Sequence, residues 1–182
     1  MTILFLNDTT SEFQLGSVCV SLYITQCLTE KYPNDRIQSV YRSDFFLSNV
    51  AEKIDKKVDY RFVIINGEGS IYGGSSITKP LKQVIKTIKQ NDANIPIYLI
   101  NASIEAIDQD IQKVLLKADK IIVRDYASHL RLQNIGITSA VSVDLSILWT
   151  EEQSWLADRQ GNGANGSSLL IFDSANASVS KV

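Results

Sequence analysis

Phe62-Val63-Ile64-Ile65-Asn66-Gly67-Glu68-Gly69-Ser70 runs four consecutive apolar residues straight into a polar turn whose acid has a glycine on each side. Continuous rather than alternating apolar residues are what a strand buried on both faces of a parallel sheet requires. Working outward, the same form recurs at Ile3-Leu4-Phe5-Leu6, Ile97-Tyr98-Leu99-Ile100 and Ile121-Ile122-Val123. Helix-like segments lie between them, at Ser17 to Lys31, Lys79 to Gln90, Ile107 to Lys117 and Ala127 to Asn134. In the second of these, Leu81, Val84, Ile85 and Ile88 fall on one helical stripe with lysines on the other face. Weaker strands are expected from Arg36 to Tyr41 and, after a helix stop at Gly136, from Ser139 to Val143. The alternation predicts an α/β, Rossmann-like, three-layer domain with a mostly parallel sheet of five or six strands.

Residues 1–150 are expected to form this lobe. Gly161-Asn162-Gly163-Ala164-Asn165-Gly166-Ser167 marks a flexible linker over 151–168. Leu169-Leu170-Ile171-Phe172 then reads as a strand, so that 169–182 either begins a second lobe or adds an edge strand to the first.

Composition narrows the function classes. Eighteen basic and twenty acidic residues leave a formal charge of -2, which gives no general attraction to nucleic acid or to an anionic membrane. The first residues lack the basic segment of a secretion signal, and no run approaches the roughly 20 apolar residues of a membrane span. A cytoplasmic location and no transmembrane segment are the expectation. Cys19 and Cys27 are the only cysteines and are read as reduced, small, buried apolar groups. His129 is the single histidine, which argues against a metal centre, and neither a metal nor a cofactor is expected.

In an open α/β sheet ligands bind beyond the carboxyl ends of the strands. Those positions are polar throughout: Asn7-Asp8-Thr9-Thr10, Asn66-Gly67-Glu68-Gly69-Ser70, Asn101-Ala102-Ser103, Arg124-Asp125-Tyr126-Ala127-Ser128, and Asp144 after Val143. Such loops suit a sugar or a nucleotide. Gly67 and Gly69 let the backbone around Glu68 take positive φ and approach a ligand closely. Bland roles compete at each position. Glu68 could cap a helix, Asn7, Asp8 and Thr9 could form an Asx turn, Asp125 and Ser128 could cap a helix start, and Arg124 could pair with Asp144 or Glu68.

Taken in order, Asn7-Asp8-Thr9, Leu15-Gly16-Ser17, Ile65-Asn66-Gly67-Glu68-Gly69-Ser70, Leu99-Ile100-Asn101-Ala102-Ser103, Val123-Arg124-Asp125 with Ser128, and Gly136 followed by Asp144 resemble the polysaccharide pyruvyl transferase family. The resemblance implies one lobe of a two-lobed, GT-B-like fold with its site in the cleft between lobes. It also implies transfer of a pyruvyl group from phosphoenolpyruvate to a sugar or glycan-precursor acceptor in exopolysaccharide biosynthesis. On that basis Glu68 and Asp8 are catalytic candidates. Asn7, Thr9, Ser17, Asn66, Gly67, Gly69, Ser70, Asn101, Ser103, Arg124 and Asp144 are candidates for binding substrate. The sequence departs from the family where members often carry histidine, having Gln14 and Tyr72 in those neighbourhoods. A non-catalytic carbohydrate- or nucleotide-binding module, or a lobe of an unrelated glycosyltransferase, are the alternatives. A cleft face lacking its second lobe would favour self-association or a partner.

Overall fold

The computed structural model describes residues 1–47 and 49–149. The linker and the final apolar segment lie outside the described residues. Among the described residues seven strands form an all-parallel arrangement: β1 (Thr2–Asp8), β2 (Arg36–Tyr41), β3 (Tyr60–Asn66), β4 (Ser70–Ile71), β5 (Ile97–Ile104), β6 (Lys120–Val123) and β7 (Ala140–Val141). The main path runs β2-β1-β3-β5-β6-β7. The strands with continuous apolar runs are the interior ones, and Ile3 to Leu6, Val63 and Ile65 are fully buried. Edge strands β2 and β7 are half-buried or exposed along most of their length, which is why their sequence signal is weak.

Helix α1 (Leu15–Lys31) covers one face, its Val20, Ile24 and Leu28 packing on Ile3, Phe5, Phe62 and Ile64. The other face carries α2 (Arg42–Phe45), a single 3-10 turn at Val50–Lys53, α3 (Thr78–Asn91), α4 (Gln109–Leu115) and α5 (Tyr126–Asn134). There the predicted Leu81, Val84, Ile85 and Ile88 stripe enters the larger core. Asp108 and Asp125 cap α4 and α5, accepting from Ile111 N and Ser128 N at 2.8 and 2.7 Å. Gly136, at φ 76°, turns the chain out of α5 as expected of a glycine stop. No helix among the described residues is long and apolar enough to cross a membrane.

Strand β4 was not foreseen. Strand β5 continues to Ile104, four residues past the point where β3 ends opposite it, so the backbone groups of its outer half need a new partner. Ser70 and Ile71 supply it, pairing with Ser103 and Ile104. Ser103 N and Glu105 N then donate to Gly69 O and Ile71 O at 3.3 and 3.1 Å. One expectation fails: Cys19 is buried but Cys27 is exposed, because residues eight apart on a helix differ by roughly 80° around its axis.

Candidate functional site

The connection from β1 passes over α1 to β2 on one side, while β3 lies on the other, so the order of strands reverses between β1 and β3. A crevice opens at such a switch point, outside the carboxyl ends of the two strands. Asn66 is the last residue of β3, and Asn7 the last but one of β1. Both are fully buried, and they exchange amide bonds: Asn7 Nδ2 donates to Asn66 O at 2.7 Å, and Asn66 Nδ2 to Asn7 O at 3.4 Å. One strand further along, Asn101 is also buried and accepts from Leu145 N at 3.2 Å.

Asn7 and Asn101 have φ of 60° and 57°, the left-handed region that costs an ordinary residue about 1–2 kcal/mol and that asparagine tolerates best. Each sits where the ladder skips a residue: β1 steps from Leu6 to Asp8 against β2, and β5 steps from Ile100 to Ala102 against β6. Such bulges re-aim a side chain and collect next to active sites. Four side-chain atoms in this region are buried without a hydrogen-bond partner among the described residues: Asn7 Oδ1, Asn66 Oδ1, Asn101 Nδ2 and Glu68 Oε2. An unpartnered buried polar group costs about 1–3 kcal/mol, so four of them at one sheet edge, beside two strained backbones, mark a place built for something other than stability.

Glu68 meets α1 across 51 residues of sequence, its Oε1 accepting from Ser17 Oγ in the first turn of that helix. Ser17 Oγ is also 3.3 Å from Gln14 Oε1. The two glycines beside Glu68 serve different ends. Gly69 takes the positive φ, 89°. Gly67 does not; a Cβ there would lie 2.6 Å from Ala102 Cβ, so its role is close approach of the β3 end to β5.

Asp8 and Thr9 are held inward. Asp8 Oδ1 accepts from Thr10 N at 3.0 Å and from the Thr10 hydroxyl at 2.8 Å, the Asx turn that the sequence allowed. Thr9 is fully buried: its N–H donates to Ser21 Oγ at 2.8 Å and its hydroxyl to Ser17 O at 2.5 Å. These bonds fix α1, and with it Ser17, over the end of β1. Ser21 was not singled out from sequence, although its place four residues after Ser17 puts it on the same helix face.

A second cluster lies beyond β5 and β6. Arg124 Nε donates to Ser103 Oγ at 2.8 Å and Nη1 to Asp144 Oδ2 at 2.9 Å, leaving three of its five N–H groups without a bond to the described residues. Of the two expected partners of Arg124, Asp144 is the one it meets. Asp144 in turn accepts from Ser146 N and opens the helical turn at 145–149. Asp125 accepts the hydroxyls of Ser103 and Ser128 at 2.9 and 2.7 Å. Burial pushes its carboxyl up, but the Ser128 hydroxyl and N–H, the Ser103 hydroxyl and the nearby Arg131 outweigh that and hold it below the usual aspartate range. Ser128 is thus the hydroxyl partner of the cap and the brace of Ile104 N, at 2.7 Å.

The structure therefore draws Asn7, Asn66, Ser17 and Glu68 into one bonded group, and Ser103, Arg124 and Asp144 into another. Asn101 stands between them on β5, tied to the segment that carries Asp144. His129 belongs to neither; its Nδ1 meets Ser139 Oγ at 2.8 Å. Among the described residues no group of three His, Cys, Asp or Glu side chains is placed to hold a metal ion. A cleft by Ile54, Lys57, Tyr60, Ile88 and Ile95 lies at the opposite, amino-terminal edge of the sheet and contains none of the orphaned atoms.

A family model described as polysaccharide pyruvyl transferase matches residues 22–176 of the 182-residue chain. The ends of β3, β5 and β6 fall inside that span, and Asn7 to Ser17 just before it. No curated protein matches the chain.

Proposed function

The chain belongs to the polysaccharide pyruvyl transferase family, and on that premise we propose that the crevice between β1 and β3 seats the sugar acceptor of pyruvyl transfer from phosphoenolpyruvate, with Glu68 as its proton-transfer group. One observation carries the reading: the orphaned atoms are three acceptors, Asn7 Oδ1, Asn66 Oδ1 and Glu68 Oε2, against one donor, Asn101 Nδ2. A floor rich in acceptors satisfies a ligand that donates. Sugar hydroxyls do so, whereas the phosphate and carboxylate of phosphoenolpyruvate only accept at neutral pH.

Ketal formation joins two sugar hydroxyl oxygens to C2 of the enolpyruvyl group and breaks the bond from C2 to the phosphate oxygen. One hydroxyl proton ends on the methylene carbon, making it a methyl, and the other leaves with the phosphate. In this reading Glu68 takes the proton from a hydroxyl seated on the asparagine floor, and its bond from Ser17, which leaves Oε2 unpartnered, supports the role. Asp8, whose Oδ1 is tied to Thr10, is the second catalytic candidate of this reading. The free N–H groups of Arg124 supply cationic contact for the donor's phosphate or carboxylate. The acceptors of this reading are glycan precursors for the cell surface, modified in the cytoplasm, and a second lobe closes the cleft.

The test is phosphate release from phosphoenolpyruvate with a panel of sugars and UDP-sugars, alongside calorimetric binding of each. Sugar-dependent release should fall about 10²–10⁴-fold in Glu68→Gln, while Asn66→Ala weakens sugar binding. Release that is indifferent to both substitutions would overturn the assignment. A binding module without turnover is the second reading, favoured because Gln14 and Tyr72 stand where relatives often carry histidine and the single imidazole bonds Ser139 instead. Saccharide binding with no phosphate release would select it.

A further inference from the structure

Among the described residues α1 is the one helix whose side chains enter the core on its face of the sheet, and it packs on β1 and β3. Beyond it, Tyr98 and Ile100 of β5 and Ile122 of β6 are left half-buried. Register places Ile122 beside Ile100 and Lys120 beside Tyr98, so the four share one patch; Lys120 is exposed and makes no ion pair with a described residue. Parallel sheets are covered on both faces. We propose that residues 150–159 of the same chain roof this patch, continuing the helical turn at 145–149 and pairing Glu152 with Lys120; the proposal stands apart from the acceptor reading above.

Where that turn begins is the first argument. Asp144 opens it, its Oδ1 accepting from Ser146 N and its carbonyl from Ile147 N, both at 3.0 Å. Leu145 N donates to Asn101 Oδ1 at the carboxyl end of β5, and the Leu145 side chain packs against the same small core as Tyr98 and Ile100. Leu145, Leu148 and Trp149 are half-buried whereas Ile147 is exposed, so the inward side of the turn is already set.

The sequence carries that side onward. Leu145, Leu148, Trp149, Glu152, Trp155 and Leu156 fall at i, i+3, i+4, i+7, i+10 and i+11, one stripe of a helix in which Glu152 is the single charge. Gly161 then stops the helix where the linker starts.

Distance gives that charge its partner. A helix following a parallel strand returns over the sheet toward the amino edge. Seven helical residues, from Leu145 to Glu152, rise about 10 Å. Three residues of strand cover about 10 Å as well. Counted back along β5 from Asn101, to which Leu145 is bonded, three residues reach Tyr98, whose neighbour on β6 is Lys120. The one acid of the stripe thus arrives at the one base of the patch, while Trp149, Trp155 and Leu156 supply the apolar cover that Tyr98, Ile100 and Ile122 lack. A second copy of the chain would have to displace a segment that Leu145 already anchors at the edge of the patch.

Fluorescence of the full chain tests this in a Trp149→Phe background, where Trp155 is the single reporter. Trp155 should be severalfold less open to acrylamide quenching than in the urea-unfolded chain, at concentrations where sedimentation gives a monomer. Lys120→Glu and Glu152→Lys should each raise the quenching, and the double reversal should return it to the background level. Ile122→Asp should raise it further; should that variant fail to fold, the charge reversals carry the test without it. Trp155 as open to quencher in the folded chain as in the unfolded one overturns the proposal. So does protection that ignores the single reversals or that the double reversal fails to restore, since burial elsewhere would not depend on this pair. Protection that fades on dilution together with a dimer overturns it in favour of a second copy.

Discussion

Gly67 stands where β3 hands over to the Glu68 turn, and a methyl group there would lie 2.6 Å from Ala102 Cβ, 3.1 Å from Ala102 Cα and 3.1 Å from Leu99 Cδ1. The Leu99 contact is the end of a flexible side chain and can yield. The Ala102 contacts cannot, because Ala102 is fully buried and its neighbour Asn101 already occupies a left-handed bulge. Gly67→Ala is therefore an overpacking substitution, expected to cost about 1–3 kcal/mol. For a domain of this size each kcal/mol lowers Tm by roughly 2–4 °C, which makes a loss of roughly 2–12 °C. Ala102→Gly removes the nearest clashing atom but not Cα, so the double variant should recover part of that cost, with a coupling of about 0.5–2 kcal/mol in urea unfolding. By contrast Gly69→Ala meets nothing within 4 Å and should lose only about 1–2 kcal/mol through its φ, with no coupling to position 102. If Gly67→Ala unfolds at the wild-type urea concentration, or if the two substitutions are simply additive, the close-approach account of Gly67 is wrong.

Three further outcomes follow from the geometry. Asp125 has a folded-state carboxyl held below its usual range, so the stability it contributes is complete above about pH 4 and drains away as pH falls through the lower folded value; urea midpoints between pH 2 and 7 should show a shallower acid limb in Asp125→Asn, and an unchanged limb would count against the network. Arg124→Ala breaks a partly exposed ion pair and one hydrogen bond, so it should cost about 1 kcal/mol of stability, and on the function proposed above it should raise the KM for phosphoenolpyruvate at least tenfold; a large stability loss with KM unmoved would make Arg124 a structural brace. A disulfide-exchange reagent should modify one thiol of the native chain, exposed Cys27, because burial both shields the Cys19 thiol and pushes it up; rapid reaction of two equivalents would contradict the packing of α1.

The fold was legible because its signals are local. Four continuous apolar runs, the Leu81 to Ile88 stripe, the aspartates before α4 and α5 and the glycine at 136 each act within a few residues, and the structure finds an element at every one. The polar character of the carboxyl edge was equally visible, since a strand boundary can be read from where apolar residues stop. Arg124 with Asp144 was foreseen as a pair among alternatives, because a charge at the end of a buried strand needs a partner.

What the sequence by itself determined about this protein is its class: a parallel α/β domain, with an edge of hydrogen-bonding residues in an order that resembles one transferase family. Only the tertiary structure decided that β1 neighbours β3, that Asn7 and Asn66 exchange amide bonds across 59 residues, and that Ser17 meets Glu68 across 51. It also decided that Gly67 answers to Ala102 rather than to its own φ, and that Ser70 and Ile71 form a strand because β5 outruns β3. Propensity and periodicity are properties of a few consecutive residues, whereas strand order and register are set by the burial of the whole sheet. The orphaned asparagine and glutamate atoms that mark the site exist only once that burial has excluded water from them.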